Sequence, residues 1–139
     1  MAALTAARNT RQMADVARSP MSYLQKGSTT IYKGSLVVLN AGYAAPGTTA
    51  TGLIAIGRAK DTVVNAGADG ATSVEVEEGI FPWVNASGDP ILAANVGGVC
   101  YITDDQTVNI TLTGKSVAGR VVKLETGIAW VKTVLNGMT

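Results

Sequence analysis

Short runs of β-branched and aliphatic residues, separated by glycines, follow one another from Ser28 onward. In residues 107–113, valine, isoleucine and leucine alternate with threonine and asparagine, and residues 73–78 repeat this device with valine and glutamate. A period of two places one set of side chains on the buried face of a strand and the other set on the solvent face. The pattern predicts an all-β domain, with strands at residues 29–33, 35–40, 53–61, 73–78, 80–84, 99–103, 107–113, 117–125 and 127–135.

Polar and glycine-containing segments indicate how these strands connect. Residues 104–106 and 125–127 are short enough to join neighbouring runs as hairpins. Two longer segments, residues 41–52 and 65–72, are rich in glycine or contain proline. Their composition is typical of loops, so we predict that neither forms a helix.

Pro82 indicates a special position for the strand at residues 80–84. Proline has no backbone N–H and cannot donate to a neighbouring strand, which places this segment at a sheet edge or at a bulge. Phe81 and Trp83 flank the proline. We therefore predict that these two aromatic side chains form a contact surface for a partner.

The first 20 residues differ in composition from the rest, with six alanines, three arginines and no glycine. Pro20 disfavours helix at the preceding residue, and isolated helices below about 12 to 15 residues are marginal. We predict an extended N-terminal arm over residues 1–27 and a β domain over residues 28–139, built as one small β-barrel or β-sandwich. The start lacks a signal-like apolar run, and no stretch of about 20 apolar residues occurs. We expect a chain made in a cytoplasm, with no membrane partner.

The net charge of +1 conceals an uneven distribution. Residues 1–33 carry five positive side chains and one negative side chain, a net charge of +4, whereas residues 58–105 carry two positive and eight negative side chains, a net charge of −6. Charged residues make up 15% of the chain, below the roughly 25% that is typical of soluble domains. The separation of a positive segment at residues 1–33 from a negative segment at residues 58–105 suits an oligomer with head-to-tail electrostatic contacts.

The residue inventory excludes several kinds of catalytic chemistry. With no histidine, the chain has neither a Ser-His-Asp nor a Cys-His arrangement, nor an imidazole metal ligand. Gly114-Lys115-Ser116 resembles the end of a phosphate loop, but Asn109 stands where that loop needs its first glycine, and we interpret the segment as a β-turn. The acidic cluster of Glu75, Glu77 and Glu78 and the pair Asp104-Asp105 lack calcium-loop spacing. We predict no enzyme activity, no cofactor and no metal.

Aromatic residues are too few and too scattered to indicate a nucleic-acid surface. They make up 5% of the chain and do not interleave with a stripe of lysine or arginine. Tyr101 and Trp130 are interpreted as core or interface residues. We therefore predict no direct nucleic-acid partner.

Six short motifs follow one another in a fixed order along the predicted β domain. They are KGSLVVL at residues 33–39, LIAIGRA at 53–59, GIF at 79–81, GGVCYITD at 97–104, AGRV at 118–121 and WV at 130–131. Each motif alone is only a strand or turn pattern, but their succession over residues 28–135 resembles that of the head decoration, or capsid cement, proteins of tailed bacteriophages.

This resemblance implies a β-barrel or β-tulip-like body that forms a homotrimer at three-fold positions on the outside of an expanded phage head. The implied partner is the major capsid protein, and the implied location is the virion exterior, after synthesis in the host cytoplasm. Decoration proteins have no catalytic residues to transfer. In this interpretation the arm lies along a neighbouring subunit, where Arg8, Arg11 and Arg18 pair with shell carboxylates.

Two further functions stay open at the level of sequence. A glycan-binding or receptor-binding β module of a virion would present an exposed aromatic cluster around Trp83 with an acidic rim. Another head or tail component would share the composition and would form rings or tubes instead of trimers. An enzyme ranks last, because carboxylates alone would need a deep pocket that this chain does not indicate.

Overall fold

The computed structural model of the protein describes residues 20–135, and within them the prediction of an all-β fold is confirmed. One 3₁₀ turn, Ala93–Asn95, is the only helical element of this range, and none of its helices could cross a bilayer. The strands are β1 Met21–Leu24, β2 Thr29–Ile31, β3 Leu36–Asn40, β4 Tyr43–Pro46, β5 Ile54–Ala59, β6 Val63–Asn65, β7 Ser73–Glu77, β8 Gly79–Asn85, β9 Val99–Ile102, β10 Thr107–Asn109, β11 Val117–Glu125 and β12 Ile128–Thr133.

The strands form three sheets. A five-stranded antiparallel sheet has the order β1-β7-β5-β3-β4, and a closed five-stranded barrel has the order β10-β8-β12-β11-β9. The third sheet is a ribbon of β2 and β6. The prediction of a small barrel or sandwich is therefore confirmed, because the structure contains both a barrel and packed sheet layers. The barrel packs against one face of the five-stranded sheet, and the ribbon packs against the other face.

Strand β3 explains why the sheet is apolar on both faces. Leu36 and Val38 belong to the hydrophobic cluster shared with the barrel, whereas Val37 between them belongs to the cluster shared with the ribbon. All three side chains are fully buried. A strand with two covered faces loses its alternation and appears in the sequence as a continuous apolar run.

The predicted boundary between arm and domain needs correction. Residues 21–27 were assigned to the arm, but β1 pairs antiparallel with β7, with Met21 opposite Val76. Beyond β1, the Lys26 N–H donates to the Ala44 carbonyl at 2.8 Å, which connects the β1 end of the five-stranded sheet to its β4 end. The β domain therefore begins at Met21. The rest of the arm, with Arg8, Arg11 and Arg18, lies outside the described residues.

Gln25 fastens this first segment to the domain. Its side chain is fully buried, and its Nε2 donates to the carbonyls of Thr29 and Val63, each at 3.1 Å. Its Oε1 accepts a hydrogen bond from Thr72 Oγ1 at 3.0 Å. Asn65, also buried, donates from Nδ2 to the Gln25 carbonyl at 3.0 Å. A buried amide with all these partners holds the segment in one place.

Besides β1, two further strands lie where no strand was predicted. β4 falls inside the predicted loop 41–52 and pairs with β3 across the tight turn Ala41-Gly42. Both turn residues have positive φ, 51° and 89°, which is the backbone of a two-residue hairpin turn with the same twist as its strands. β6 is only three residues long and pairs with β2 in the ribbon.

The predicted strand at residues 107–113 ends early, at Asn109. Asp89 Oδ2 accepts hydrogen bonds from Asn109 Nδ2 at 2.8 Å and from the Thr111 backbone N–H at 2.9 Å. These hydrogen bonds lower the pKa of Asp89, and the bond from Asn109 has the largest effect. Because a carboxylate takes the N–H that a neighbouring strand would use, the ladder stops, and Leu112 is left 57% exposed.

The predicted hairpins and the predicted β-turn are confirmed. β9 pairs antiparallel with β10 around residues 104–106, and Glu125 lies opposite Ile128 across the β11 to β12 turn. In the segment interpreted as a β-turn, the Lys115 N–H donates to the Leu112 carbonyl at 2.9 Å.

Gly119 marks a bulge in β11 where two strands approach closely. The register between β11 and β9 shifts between Val117 and Gly119, and Gly119 has φ of 153°. A Cβ added at this position would lie 2.1 Å from the Lys132 carbonyl oxygen of β12. Only glycine can hold this backbone at such a distance.

Candidate interaction surface

Phe81 and Trp83, the two predicted contact residues, lie inside the barrel. They are only 6% and 4% exposed, and their ring centroids are 5.7 Å apart. Trp83 Nε1 donates to Thr133 Oγ1 at 3.1 Å, and the Arg58 guanidinium lies 4.6 Å from the centre of the Phe81 ring. The prediction that these rings form a contact surface is therefore wrong, because strand β8 turns both of them into the core. The glycan-binding alternative expected an exposed aromatic cluster around Trp83, and Trp83 is buried instead.

The opposite face of β8 presents three apolar side chains to solvent. Ile80, Pro82 and Val84 alternate with the buried aromatic residues, and Ile80 and Val84 are 43% and 44% exposed. Successive side chains of a strand point to opposite faces, so the burial of Phe81 and Trp83 turns Ile80, Pro82 and Val84 outward.

Strand β12 extends this apolar area. Across the antiparallel ladder Pro82 lies opposite Trp130, and Val84 lies opposite Ile128. Trp130 and Ile128 are half-buried. Residues directly opposite on paired strands have their side chains on the same face. The five side chains thus form one continuous patch, which we call the β8/β12 face: Ile80, Pro82, Val84, Ile128 and Trp130.

Charged side chains of strand β11 and of the end of β12 lie along the border of the β8/β12 face. Lys123 lies opposite Trp130, and Arg120 lies opposite Lys132, which in turn lies opposite Ile80. The only acidic side chain in these cross-strand rows is Glu125, which accepts a hydrogen bond from Trp130 Nε1. Three cations and one carboxylate therefore leave this border with a net charge of +2. A complementary partner surface would be apolar at its centre and acidic along one side.

Pro82 lies where β8 has a strand partner on one side only. β10 pairs with β8 at Val84 and Asn85 alone, while β12 pairs with β8 along its whole length. The prediction of an edge position is confirmed for this part of the strand. The missing N–H of Pro82 prevents a regular ladder with an added strand at this point, so the β8/β12 face offers side chains, not backbone, to a partner.

The acidic cluster at residues 75–78 is divided among different structural roles. Glu77 forms an ion pair with Arg58, with 3.0 Å between Oε1 and Nη2, and Glu78 Oε2 accepts the Leu135 N–H at 2.7 Å. Glu75 is exposed on β7 opposite Ser22. Within residues 20–135, no group of three or more His, Cys, Asp and Glu side chains is arranged to hold a metal ion.

Cys100 is the only cysteine of the chain, and its thiol is buried in the barrel core. Burial raises its pKa to about 12, and its Sγ lies 3.7 Å from the Gly119 carbonyl oxygen, to which it donates. A thiol that stays protonated and inaccessible is a packing residue, not a nucleophile.

Sequence reasoning identified the strand of the β8/β12 face but selected its wrong side. The available signal was that Ile80, Pro82 and Val84 share one face of an apolar strand, and that Trp130 was already interpreted as a core or interface residue.

Comparison of the chain with protein-family models, with curated proteins and with solved structures gives no match.

Proposed function

We propose that this chain is a structural virion protein, without enzyme activity, that decorates the outer surface of a tailed-phage capsid. The observation that carries the proposal is the β8/β12 face, an exposed apolar patch on a rigid barrel with a cationic border. Contiguous apolar patches with a polar rim are typical of protein docking sites. The order of sequence motifs, which resembles that of capsid decoration proteins, supplies the class of partner.

The proposed partner of the β8/β12 face is the major capsid protein. The apolar side chains of the face lose water when the two surfaces meet, and Lys123 and Lys132 select a shell surface with carboxylates beside its apolar centre. Arg8, Arg11 and Arg18 of the N-terminal segment add further pairs with shell carboxylates. The segment 1–19 has three arginines and one aspartate, a net charge of +2.

The resemblance further suggests a homotrimer at three-fold positions of the head. Three linked contacts give avidity even if each contact is weak, because the second and third form at a high effective concentration. Each specific contact of this kind buries roughly 1,200 to 2,000 Å² in total. A trimer that bridges neighbouring capsomers opposes the outward pressure of packaged DNA, since expansion of the shell must separate every bridge.

Cryo-electron microscopy of heads with and without the chain tests this proposal. We expect additional density at the three-fold positions, oriented so that Ile80 and Trp130 contact the shell. Heads that show no additional density after incubation with the purified full-length chain would overturn the decoration role. Density in which the β8/β12 face points to solvent would overturn the assignment of the docking face.

A further inference from the structure

The connection between β8 and β9 exposes an apolar segment, residues 90–96, which we call the apolar loop. No charged residue occurs in this segment. Leu92, Ala93 and Ala94 are three consecutive exposed residues, and Leu92 and Val96 are 60% and 42% exposed. A run of about three exposed apolar residues is unfavourable on a protein surface unless it has a function. The apolar loop is therefore a candidate contact for another protein surface.

Hydrogen bonds hold the apolar loop in place. Asn85 donates from Nδ2 to the Ile91 carbonyl at 2.9 Å and accepts the Ile91 N–H on Oδ1 at 2.8 Å. The Ile91 side chain is buried in the barrel core. Within the loop, the Leu92 N–H donates to Asn95 Oδ1 at 2.9 Å, and the Asn95 N–H donates to the Leu92 carbonyl at 2.8 Å. The loop is thus ordered before it meets a partner, which lowers the entropic cost of binding.

Strand β11 adds an apolar side chain and a cation beside the apolar loop. The Gly97 N–H donates to the Val121 carbonyl at 2.8 Å, so the adjoining residues Val96 and Val122 lie side by side in this antiparallel pair of segments. Val122 is 44% exposed. The exposed Arg120 donates from Nη1 to the Gly97 carbonyl at 3.0 Å. The apolar surface of the loop therefore has a guanidinium at its border.

A notch lies over Gly70, at the β1 end of the five-stranded sheet. A Cβ added at Gly70 would lie 3.5 Å from Tyr43 Cε1 and 3.7 Å from Leu24 Cδ1. Both side chains therefore border a space that the glycine leaves open, and Leu24 is 54% exposed. The Gly70 N–H donates to the Gln25 carbonyl at 2.8 Å, which fixes the floor of this space. We call it the Leu24 notch.

Acidic side chains lie around the Leu24 notch. Glu75, opposite Ser22 on β7, is exposed on the same face of the sheet as Leu24. Asp69 precedes Gly70 in the chain, and Lys26 Nζ lies 4.0 Å from its Oδ1. These three charged side chains leave the notch with a net charge of −1. The notch is therefore apolar at its centre and acidic at its border, which complements the apolar loop and Arg120.

We propose that the apolar loop of one copy of this chain docks in the Leu24 notch of a second copy. Leu92 lies against Leu24 and Tyr43, and Arg120 lies beside Glu75. A second copy is the occupant that the charges favour, because two like surfaces would bring cation to cation or carboxylate to carboxylate.

The two surfaces of this contact are different, so each copy uses its loop on one neighbour and offers its notch to another. Such a head-to-tail contact closes into a ring when the rotation between copies fits. The contact rests on the proposed function only for its number of copies, three. It uses no residue of the β8/β12 face, which stays available to the shell.

Sedimentation equilibrium of the purified full-length chain, without heads, tests the contact. We expect a trimer that dissociates on dilution in the micromolar range. Leu92→Glu should raise the dissociation constant at least about tenfold, because it places a carboxylate in an apolar contact beside other carboxylates. Leu112→Glu is the matched control, since Leu112 is 57% exposed between β10 and β11, outside both surfaces. A monomer at every concentration, or equal effects of the two variants, would overturn the proposal.

Cysteine cross-linking shows which surfaces meet. Under mild oxidation, a chain carrying both Leu24→Cys and Leu92→Cys should form covalent trimers, because a disulfide needs Cα atoms within about 7 Å. Each single variant should stay uncross-linked, and the native Cys100 is buried. Covalent dimers of Leu92→Cys alone would indicate a two-fold contact between like loops and overturn the head-to-tail arrangement. A double variant without cross-linked species would overturn it as well.

Failure of this contact can be told apart from failure of the proposed function, because neither experiment uses heads. A monomeric chain that still adds density to heads overturns only the head-to-tail contact. A cross-linked trimer that adds no density to heads overturns only the decoration role.

Discussion

Pro82 and Trp130 lie directly opposite each other on β8 and β12, and both side chains belong to the outer face of the barrel. Their neighbours Phe81 and Val131, also opposite each other, point into the core. The same two strands thus build the centre of the barrel with one face and the candidate docking surface with the other. A surface on such strands is rigid, so binding to it requires little ordering of the chain.

Val84→Glu should weaken docking to phage heads without unfolding the protein. Val84 is 44% exposed, so the substitution is tolerated in the free chain, but docking would bury an unpaired carboxylate in an apolar contact. We expect an affinity loss of at least about tenfold. Quantitative co-sedimentation with heads at fixed salt measures it.

Val64→Glu is the matched control for this variant. Val64 is 60% exposed on β6, in the ribbon and away from the β8/β12 face. It should bind heads as the unmodified chain does. Equal losses for the two variants would show that added negative charge, and not the position of Val84, weakens docking.

Gly119→Ala should strongly destabilise the fold. The new Cβ would lie 2.1 Å from the Lys132 carbonyl oxygen, so β11 and β12 must separate or the bulge must change its backbone. We expect a loss of about 3 kcal/mol in the free energy of unfolding. Urea denaturation followed by tryptophan fluorescence, at one fixed protein concentration, provides the measurement.

Gly88→Ala is the corresponding control, because no atom lies within 4 Å of its added Cβ and its backbone is not in the left-handed region. Its free energy of unfolding should change by less than about 0.5 kcal/mol. A Gly119→Ala variant as stable as Gly88→Ala would contradict the close approach of β11 and β12.

Two N-terminal truncations should differ sharply in stability. A chain that begins at Met21 retains β1 and Gln25 and should unfold at the same urea concentration as the full chain. A chain that begins at Ser28 lacks the β1 ladder and leaves Thr72, Asn65 and the Val63 carbonyl without Gln25. We expect a loss of about 3 kcal/mol or more. Equal midpoints for the two chains would restore the domain boundary to residue 28.

The chain that begins at Met21 also tests the role of Arg8, Arg11 and Arg18. Removing three cations should weaken binding to heads, and the difference from the full chain should shrink as salt is raised. The measurement is co-sedimentation with heads over a series of salt concentrations. If both chains occupy heads equally at matched low salt, the N-terminal segment has no anchoring role.

Alkaline pH should destabilise the protein through Cys100. Its pKa is raised from 9.0 to about 12 in the folded chain, so the unfolded chain loses the thiol proton first as pH rises. The contribution to stability is complete below pH 9 and is lost between pH 9 and 12, at up to about 1.4 kcal/mol per pH unit. Urea midpoints of the reduced protein at pH 8 to 11 should fall more steeply for the unmodified chain than for Cys100→Ala. Parallel curves would contradict this prediction.

Local pattern predicted most strands because alternation and turn residues act over a few positions. The strand predicted at residues 117–125 coincides with β11, and the two short hairpin connections lie as expected. β4 was missed because Ala, Pro and the preceding glycine are weak strand formers, and tertiary pairing with β3 overrode that preference. The strand at 107–113 was predicted too long because its end depends on Asp89, which is distant in sequence.

The candidate surface was less predictable than the strands that carry it. Phe81 and Trp83 are larger and more conspicuous than Ile80 and Val84, and a proline between the aromatics indicated exposure. Inside the barrel, however, the two rings fill space beside Arg58 and Thr133, which belong to β5 and β12. No pattern within β8 contains that information.

The sequence by itself determined that the chain is all-β, where most strands lie and which short turns join them, because these properties depend on neighbouring residues. Only the tertiary structure decided that a closed barrel packs on a five-stranded sheet, that Met21 begins the domain and that Ile80, Pro82 and Val84 face outward. The physical reason is that an alternating strand has two possible buried faces. The choice between them depends on the volume and hydrogen bonds offered by strands far away in the chain.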